Sequence, residues 1–483
     1  MTKVNKIQKA PKNVVWEEFF RVHGDQITKD IEGKGMYTVT ANELKAVSHS
    51  LNGPDLRLLT KLDRSGALPD VFKTGANSLS DYINILPLGY INKEYTFALG
   101  RFNAYAPLEY DQDQHPVSVK FPDVQTISPE TISSESVFID AAFTSGMLNQ
   151  AFETDPKQPL MPVLHGRMGS GDMSFTAGIA KKIQVAVSSA QLEIDATFEN
   201  QKSVVVIEAK AVPEPDFLVR QLYYPYYMLK NIRGVTKPII PTFLVLLNGR
   251  YYFIQYEFLD PFNYSSIHKI GQKTFQFAET VVISFQDIEN WFQEAVPIPE
   301  PHVPFPQADS YLQCIGTLAL LNEAQDDENI GLSPKEIADS LGVGKRGYDV
   351  RQGRYYGDLL VYLGLASKYQ DNMNGMLYSI TQSGNDIYQV INTPEGREQF
   401  VRRLFQHVPF REAFKSLRNQ PDIFLETDRL SQDIYDRVIE AVPSDSIWNT
   451  RTESFGVSDS TLRRRVQTVV ALLRSFIRTA INN

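Results

Sequence analysis

The sequence predicts an α/β chain of the α+β kind, a mixed central sheet flanked by helices and followed by a mostly α-helical C-terminal region. Three observations carry this. Gln191–Lys210 and Thr242–Phe258 each read as two apolar, β-prone runs joined by a short polar turn. The apolar residues of Val14–Ile31, and of long tracts beyond Tyr311, recur at helical spacing. Between the halves, Pro297, Pro299, Pro301, Pro304 and Pro306 fall within one extended, semi-rigid stretch that marks a domain boundary.

At 483 residues the chain exceeds one ordinary core, which gives two to three domains. With 42% apolar and 22% charged residues the composition is globular. No apolar run approaches the roughly 20 residues that span a bilayer, and no apolar targeting segment follows Met1, so a bacterial cytoplasmic protein is expected. The single cysteine, Cys314, excludes an internal disulfide and a thiolate zinc cluster, and its apolar helical setting reads as core. A net charge of -9 speaks against coating nucleic acid through global charge but leaves local basic faces open.

Residues 1–130 read as an N-terminal α+β region, part of the nuclease unit or of DNA recognition, with no recognisable chemistry over Leu68–Tyr105. Lys3, Lys6, Lys9 and Lys12 read as a solvated tail, a DNA-touching arm being the alternative, Val14–Ile31 as a helix bearing Trp16, Phe19 and Phe20, and Thr40 with Glu43 as a capping box. Leu68–Tyr105 reads as loops and short strands. A second unit, 131–296, opens on an amphipathic helix over Ser134–Phe152. His165–Asp172 is glycine-rich yet lacks the Lys-Ser/Thr ending of a phosphate-binding loop, so it reads as a turn entering a strand near Met173–Phe175.

Gln191–Lys210 is the centre of the chain. With Phe198 facing Ser203, the two-residue period places Glu193, Asp195 and Thr197 on one face with Val204, Val206, Glu208 and Lys210. Ile194, Ala196, Phe198, Val205, Ile207 and Ala209 take the other. Carboxylates gathered on an otherwise apolar sheet repel one another and lose hydration unless a cation neutralises them, which asks for a hard divalent metal with oxygen ligands, Mg²⁺ foremost. A salt bridge between Lys210 and an acid at a sheet edge is the alternative; the aliphatic run Val204–Ile207 favours burial.

This hairpin resembles the active-site hairpin of the PD-(D/E)XK nuclease superfamily, with Asp195 as the first acid and Glu208-Ala209-Lys210 as the E-x-K. The resemblance implies a nuclease core in which Asp195 and Glu208 ligate Mg²⁺, the carbonyl of Ala209 is a further candidate ligand, and Lys210 orients or helps deprotonate the attacking water. Glu193 shares their face. Glu135, at the start of the preceding helix, is a candidate extra acid, although a carboxylate there also suits the helix dipole. Asp216 is placed to cap a helix over Phe217–Lys230 whose first turns carry Arg220 and Gln221. Some superfamily members use a Q-x-x-x-Y on this helix; here Pro225 stands four beyond Gln221, so Gln221 is a supporting candidate only. Tyr223, Tyr224, Tyr226 and Tyr227 read as packing. The Asn248-Gly249 hairpin extends the sheet.

Beyond the Pro-rich linker at 297–308, Tyr311–Asn322 is an apolar helix, and Ser333-Pro334-Lys335-Glu336 caps another. Gly342-Val343-Gly344, a helix over Tyr348–Leu363, a hairpin tip at Asn374-Gly375 and a helix opened by Thr381 follow. Residues 309–392 thus resemble a winged helix-turn-helix domain. That resemblance implies a second helix entering the major groove with Lys345, Arg346, Arg351 and Arg354, protein contact being the alternative. The last unit, 393–483, is helical throughout, and Gly456–Val466 looks like a second helix-turn-helix start. Its consecutive arginines cannot all face one way, so Arg463 and Arg464 are candidate phosphate contacts, while a solvated face or an ion pair competes.

In order of parts the chain is similar to Type II restriction endonucleases that append a reading module to a nuclease core. The similarity implies Mg²⁺-dependent, site-specific hydrolysis of double-stranded DNA by a homodimer, since two cuts need two sites. A repair or methylation-dependent nuclease, and a non-catalytic DNA-binding regulator with an inert site, are the rival readings. The bases recognised do not follow from the sequence.

Overall fold

The computed structural model describes residues 10–481 except 77, 130, 131, 133, 180, 212, 213, 279–282, 327–330, 343–349, 372–374 and 426–429. Helix α1 (Lys12–Lys34) buries Val15, Trp16, Phe19, Ile27 and Ile31 and stops at Gly35, whose φ of 92° is the left-handed cap that glycine supplies. After β1 (Met36–Thr40), Thr40 and Glu43 make the expected capping box on α2 (Ala41–Ser50). Short α3 (Leu56–Thr60) and α4 (Asp70–Lys73) lead to β2 (Asn84–Ile91) and β3 (Glu94–Gly100). These two are long paired strands, where loops and short strands were expected. Pro87 and Gly89 interrupt their apolar pattern and hide them from a periodicity reading.

β4 (Tyr105–Pro107) and β5 (Val117–Val119) precede α5 (Glu135–Thr144) and α6 (Met147–Ala151), one expected helix broken at Gly146, φ 80°. β6 (Met161–Gly169) takes in His165 and the glycine expected in a turn. β7 (Asp172–Ala177), β8 (Ile183–Ser188), β9 (Gln191–Glu199), β10 (Val204–Lys210) and β11 (Asp216–Leu218) follow. Asp216 does not cap a helix: β11 pairs with β4, and the Asp216 carboxylate accepts from the N–H and the hydroxyl of Ser65. The helix, α7 (Arg220–Lys230), starts later. β12 (Ile239–Leu247), β13 (Arg250–Phe258), β14 (Ile267–Phe277) and α8 (Phe285–Glu294) complete this half.

A seven-stranded sheet runs β5-β14-β13-β12-β10-β9-β6, and a five-stranded one β1-β3-β2-β8-β7. The larger sheet is mixed, with β10 parallel to β12 and antiparallel to β9. One of its faces packs on α5 and α6 through Ala196, Phe198, Val205 and Ile207. The other carries Val204 and Val206 against Leu229 of α7, whose four tyrosines are all buried. The protein is thus of mixed α/β class, and the D…ExK hairpin lies within its largest sheet, between β12 and the edge strand β6.

The C-terminal half contains α9 (Tyr311–Asp326), α10 (Pro334–Leu341), α11 (Val350–Tyr362), the ribbon β15 (Ala366–Asp371) and β16 (Gly375–Ile380), and α12 (Gln382–Val390). Then come α13 (Pro394–Phe405), α14 (Val408–Leu417), α15 (Asp422–Leu425), α16 (Gln432–Ala441), the small ribbon β17 (Trp448–Asn449) and β18 (Ser454–Phe455), and α17 (Asp459–Ile481). The expected run of helices is therefore interrupted before α17. The Pro-rich stretch is not a free spacer, because Phe305 and Ala308 are buried, the Ile298 N–H donates to the Gln406 carbonyl, and Glu300 accepts from the Val408 N–H at 2.6 Å. Ile288 and Phe292 of α8 join this C-terminal core.

The halves touch closely. A Cβ on Gly66 would lie 2.1 Å from the Asp339 carbonyl of α10, so only glycine admits that approach, and Lys335 bridges Asp70 and Asp339 at 2.6 Å each. Among the described residues no helix is long and apolar enough to cross a membrane.

Candidate active site

β9 and β10 pair with Val205 opposite Phe198 and Val206 opposite Thr197. This lies two residues from the expected register because the four-residue turn begins one residue later, at Asn200, whose Oδ1 accepts the N–H of both Lys202 and Ser203 at 2.9 Å. A shift of two preserves which side chains share a face, and it carries Asp195 from beside Val206 to beside Glu208. The regular pairing ends at Ile207–Ala196, and one step further the Ala209 N–H donates to Asp195 Oδ2 at 2.8 Å. The strands part there, and the acid fills the gap.

Glu208 Oε1 accepts from Lys210 Nζ at 2.7 Å and from Gln221 Nε2 at 2.6 Å. Gln221 stands in the first turn of α7, so the helix start and the strand end meet at one carboxylate oxygen. No protein donor holds Glu208 Oε2 among the described residues. The Glu208 and Lys210 side chains are only 11% and 14% exposed.

Burial pushes the Glu208 carboxyl up to about 8, with Asp195 and Glu135 adding to the rise and Lys210 opposing it. Burial likewise raises Asp195, against the Ala209 N–H and Lys210. Burial alone would lower Lys210, but the carboxylates of Glu208, Glu135 and Glu214 outweigh it and hold the amine well above its ordinary value. In this arrangement Lys210 Nζ serves as a donor to Glu208 Oε1.

Glu135 does reach the site. It opens α5, keeps solvent on one side, and accepts from the Ala211 N–H; crowding by the cleft walls raises it, Lys210 lowers it and Asp195 adds to the rise. Glu193 does not join the buried pair. Its cross-strand neighbour on β6 is Arg167, the two make a 3.3 Å ion pair, and the Glu193 side chain is 61% exposed at the rim.

Sequence reasoning missed Glu214 and Arg64. Arg64 Nη1 meets Glu214 at 2.9 Å, its other arm reaches Glu323 of α9, and burial raises Glu214 while Arg64 and Lys210 pull it down. Nothing in the sequence links an arginine in an N-terminal loop to a glutamate 150 positions on.

These groups line a cleft of about 970 Å³ whose walls include Lys45, Arg57, Tyr90 and Tyr95 from the N-terminal region, Arg220 from α7, and Leu320 from α9. A second opening of about 480 Å³, between α5 and α12, reaches Glu135 and Asp195 from the far side. Asn392 lines this opening and donates to the Ala211 carbonyl at 2.8 Å.

The donors that could hold a hard divalent cation are Asp195, Glu208 and the Ala209 carbonyl. Among the described residues no three His, Cys, Asp or Glu side chains converge as a ligand group, so such an ion would complete its shell with water and substrate oxygens. The charge balance suits it, since Glu135, Asp195, Glu208 and Glu214 crowd around Lys210 and Arg64.

Of the basic residues expected at DNA, Lys345 and Arg346 lie outside the described residues. Arg351 and Arg354 are exposed in the first turns of α11. Arg463 is taken by Asp436 at 2.6 Å, Arg464 is exposed, and α17 follows the β17–β18 ribbon rather than a short helix-turn-helix turn.

Residues 13–97, 100–276 and 329–478 match three families, each described as a domain of unknown function: DUF6996, DUF6997 and DUF7226 in that order. No curated protein and no solved structure matches the chain. The middle match contains Asp195, Glu208, Lys210 and Gln221, the first contains Tyr90 and Tyr95, and the third α10 to α16.

Proposed function

We propose that the chain is a Mg²⁺-dependent endodeoxyribonuclease of the PD-(D/E)XK kind, acting on double-stranded DNA as a Type II restriction endonuclease. The observation that carries the reading is the meeting of Asp195, Glu208 and Lys210 on adjacent strands of a mixed sheet, buried at the floor of a cleft with basic walls.

Asp195, Glu208 and the Ala209 carbonyl would hold the ion. Mg²⁺, when bound, polarises the scissile phosphate and lowers the pKa of a water. Gln221 and Lys210 both pin Glu208 Oε1, which orients the carboxylate and leaves Oε2 open. The Ala209 N–H fixes Asp195 in the same way. The Lys210 ammonium offers a positive charge to the phosphorane-like transition state and a donor to the attacking water. Glu135 stands near enough to Asp195 and Lys210 to bias both.

Helices α9, α10 and α11 with the β15–β16 ribbon have the composition and order of a winged helix-turn-helix, and we assign DNA binding to it through Arg351 and Arg354. A homodimer supplies the second cut. The rival reading, a DNA-binding regulator, draws on the Lys210–Glu208 bond, which an inert site would also show.

Incubating supercoiled plasmid with the protein in Mg²⁺ and in EDTA tests the proposal. Linear product in Mg²⁺ alone, with defined ends, supports it; intact plasmid over a range of DNAs, methylated and unmethylated, that the protein nonetheless binds would leave the regulator.

A further inference from the structure

The tip of the β2–β3 hairpin overhangs the same cleft, and no part of the mechanism above uses it. Its Tyr90 side chain is 59% exposed, yet one edge is fixed: it meets Tyr95, its cross-strand partner, edge to face with centroids 5.3 Å apart. Tyr95 rests in turn on Phe97 at 5.2 Å, and its hydroxyl oxygen accepts the N–H of Gln191 at 3.3 Å. Gln191 is the first residue of β9, the strand that bears Asp195, so the aromatic pair is tied to the catalytic strand.

The hairpin itself is stiff. Asn92 and Lys93 are both left-handed, φ 51° and 71°, as a tight two-residue turn requires. A bulge between Pro87 and Gly89 re-aims the strand just before Tyr90. Gly89 has φ 81°, and a Cβ there would lie 1.9 Å from the Ser188 carbonyl, so glycine alone seats β2 on β8.

A lone exposed tyrosine is unremarkable on a protein surface. This one stands on a rigid mount, in a cleft it shares with Glu208 and Lys210 and with the basic side chains of Arg220 and of Arg167 on β6. Basic side chains that follow a phosphate backbone beside an open aromatic face are the makings of a base-stacking site.

We propose that the β2–β3 hairpin engages the bound DNA, with Tyr90 stacking on a base displaced from the duplex beside the scissile phosphate. The proposal rests on the nuclease reading of the cleft. It assigns to the N-terminal region a share of substrate recognition alongside the C-terminal module, and it favours substrates whose base leaves the stack cheaply, such as mismatched or flexible steps.

The test is photocrosslinking of the full chain, inactivated by Asp195→Asn, to duplexes and single strands substituted with 5-iodouracil. The crosslink is expected on the peptide that holds Tyr90, lost in Tyr90→Ala and kept in Tyr90→Phe, with DNA affinity of Tyr90→Ala lowered roughly ten- to a hundredfold. Crosslinks confined to other peptides, or a Tyr90→Ala protein that binds like its parent, overturn it. A Tyr90 crosslink when the parent protein never cuts would sink the nuclease reading and the placement beside a scissile phosphate with it, leaving only a DNA contact at Tyr90; cutting by the parent without the crosslink overturns this proposal alone, and absence of any DNA binding removes both.

Discussion

The Asp195 carboxylate receives the Ala209 N–H at 2.8 Å, one step beyond the last regular pairing of β9 with β10. A backbone donor that would otherwise need a carbonyl partner is satisfied by an acid, so the fold and the chemistry draw on the same side chain.

Asp195→Asn and Asp195→Ala should therefore part company. The asparagine keeps an oxygen for Ala209 and should melt near the parent; the alanine leaves a buried donor unpaired and should cost about 1–3 kcal/mol of stability. Both should lose cleavage by at least about a hundredfold, read by plasmid linearisation, while affinity for DNA holds in the asparagine variant. Cutting at the parental rate by either removes Asp195 from the site.

Glu208 gives a pH signature. Its carboxyl titrates near 8 when folded, against 4.5 for an ordinary glutamate, so the folded protein binds one more proton than the unfolded chain between those values. Stability from this group is complete below 4.5 and is lost as pH rises through about 8. Glu208→Gln should flatten that decline in a series of thermal melts. A divalent cation competes with the proton, so the rise in Tm on adding Mg²⁺ should grow as pH approaches and passes 8. A shift in Tm that ignores pH would contradict it.

Gln221 acts through Glu208. Gln221→Ala should lower kcat about tenfold with little change in KM for DNA, and should weaken the response to Mg²⁺, because Oε1 loses a donor that orients it. Gln221→Glu should be worse, since it sets a second acid against a buried carboxylate. A change confined to KM would make Gln221 a DNA contact instead.

Arg64 offers a test of how the halves communicate. Arg64→Met leaves Glu214, 11% exposed, without its cation and should cost roughly 3 kcal/mol. Glu323→Ala removes a partner that is 41% exposed and should cost no more than about 1 kcal/mol. Melting curves give both figures. Equal losses would mean that Glu214 has other support.

Much of the site was legible in the sequence because short-range rules govern it. Alternation along β9 and β10 placed Asp195, Glu208 and Lys210 on one face, and the aliphatic run before Glu208 marked a central strand. The register escaped because Asn200 bonds its own turn, which no apolar pattern records. Asp216 resembled a helix cap, yet Ser65, 151 residues away, claims its carboxylate. Glu193 fitted the face but answered to Arg167 on a strand that glycines had disguised. The N-terminal contribution was invisible for a like reason, since Pro87 and Gly89 break the pattern at the very strand that carries Tyr90.

The reach of Arg64 across to α9 has a corollary for how such a chain can be reshaped. A cassette cut away at the proline stretch would take Glu323 with it and leave Arg64 to Glu214 alone, one handshake from Lys210. Trading that cassette for another would alter the charges around Glu214 and Lys210, so replacing the C-terminal half means matching an electrostatic seam as well as a packing surface.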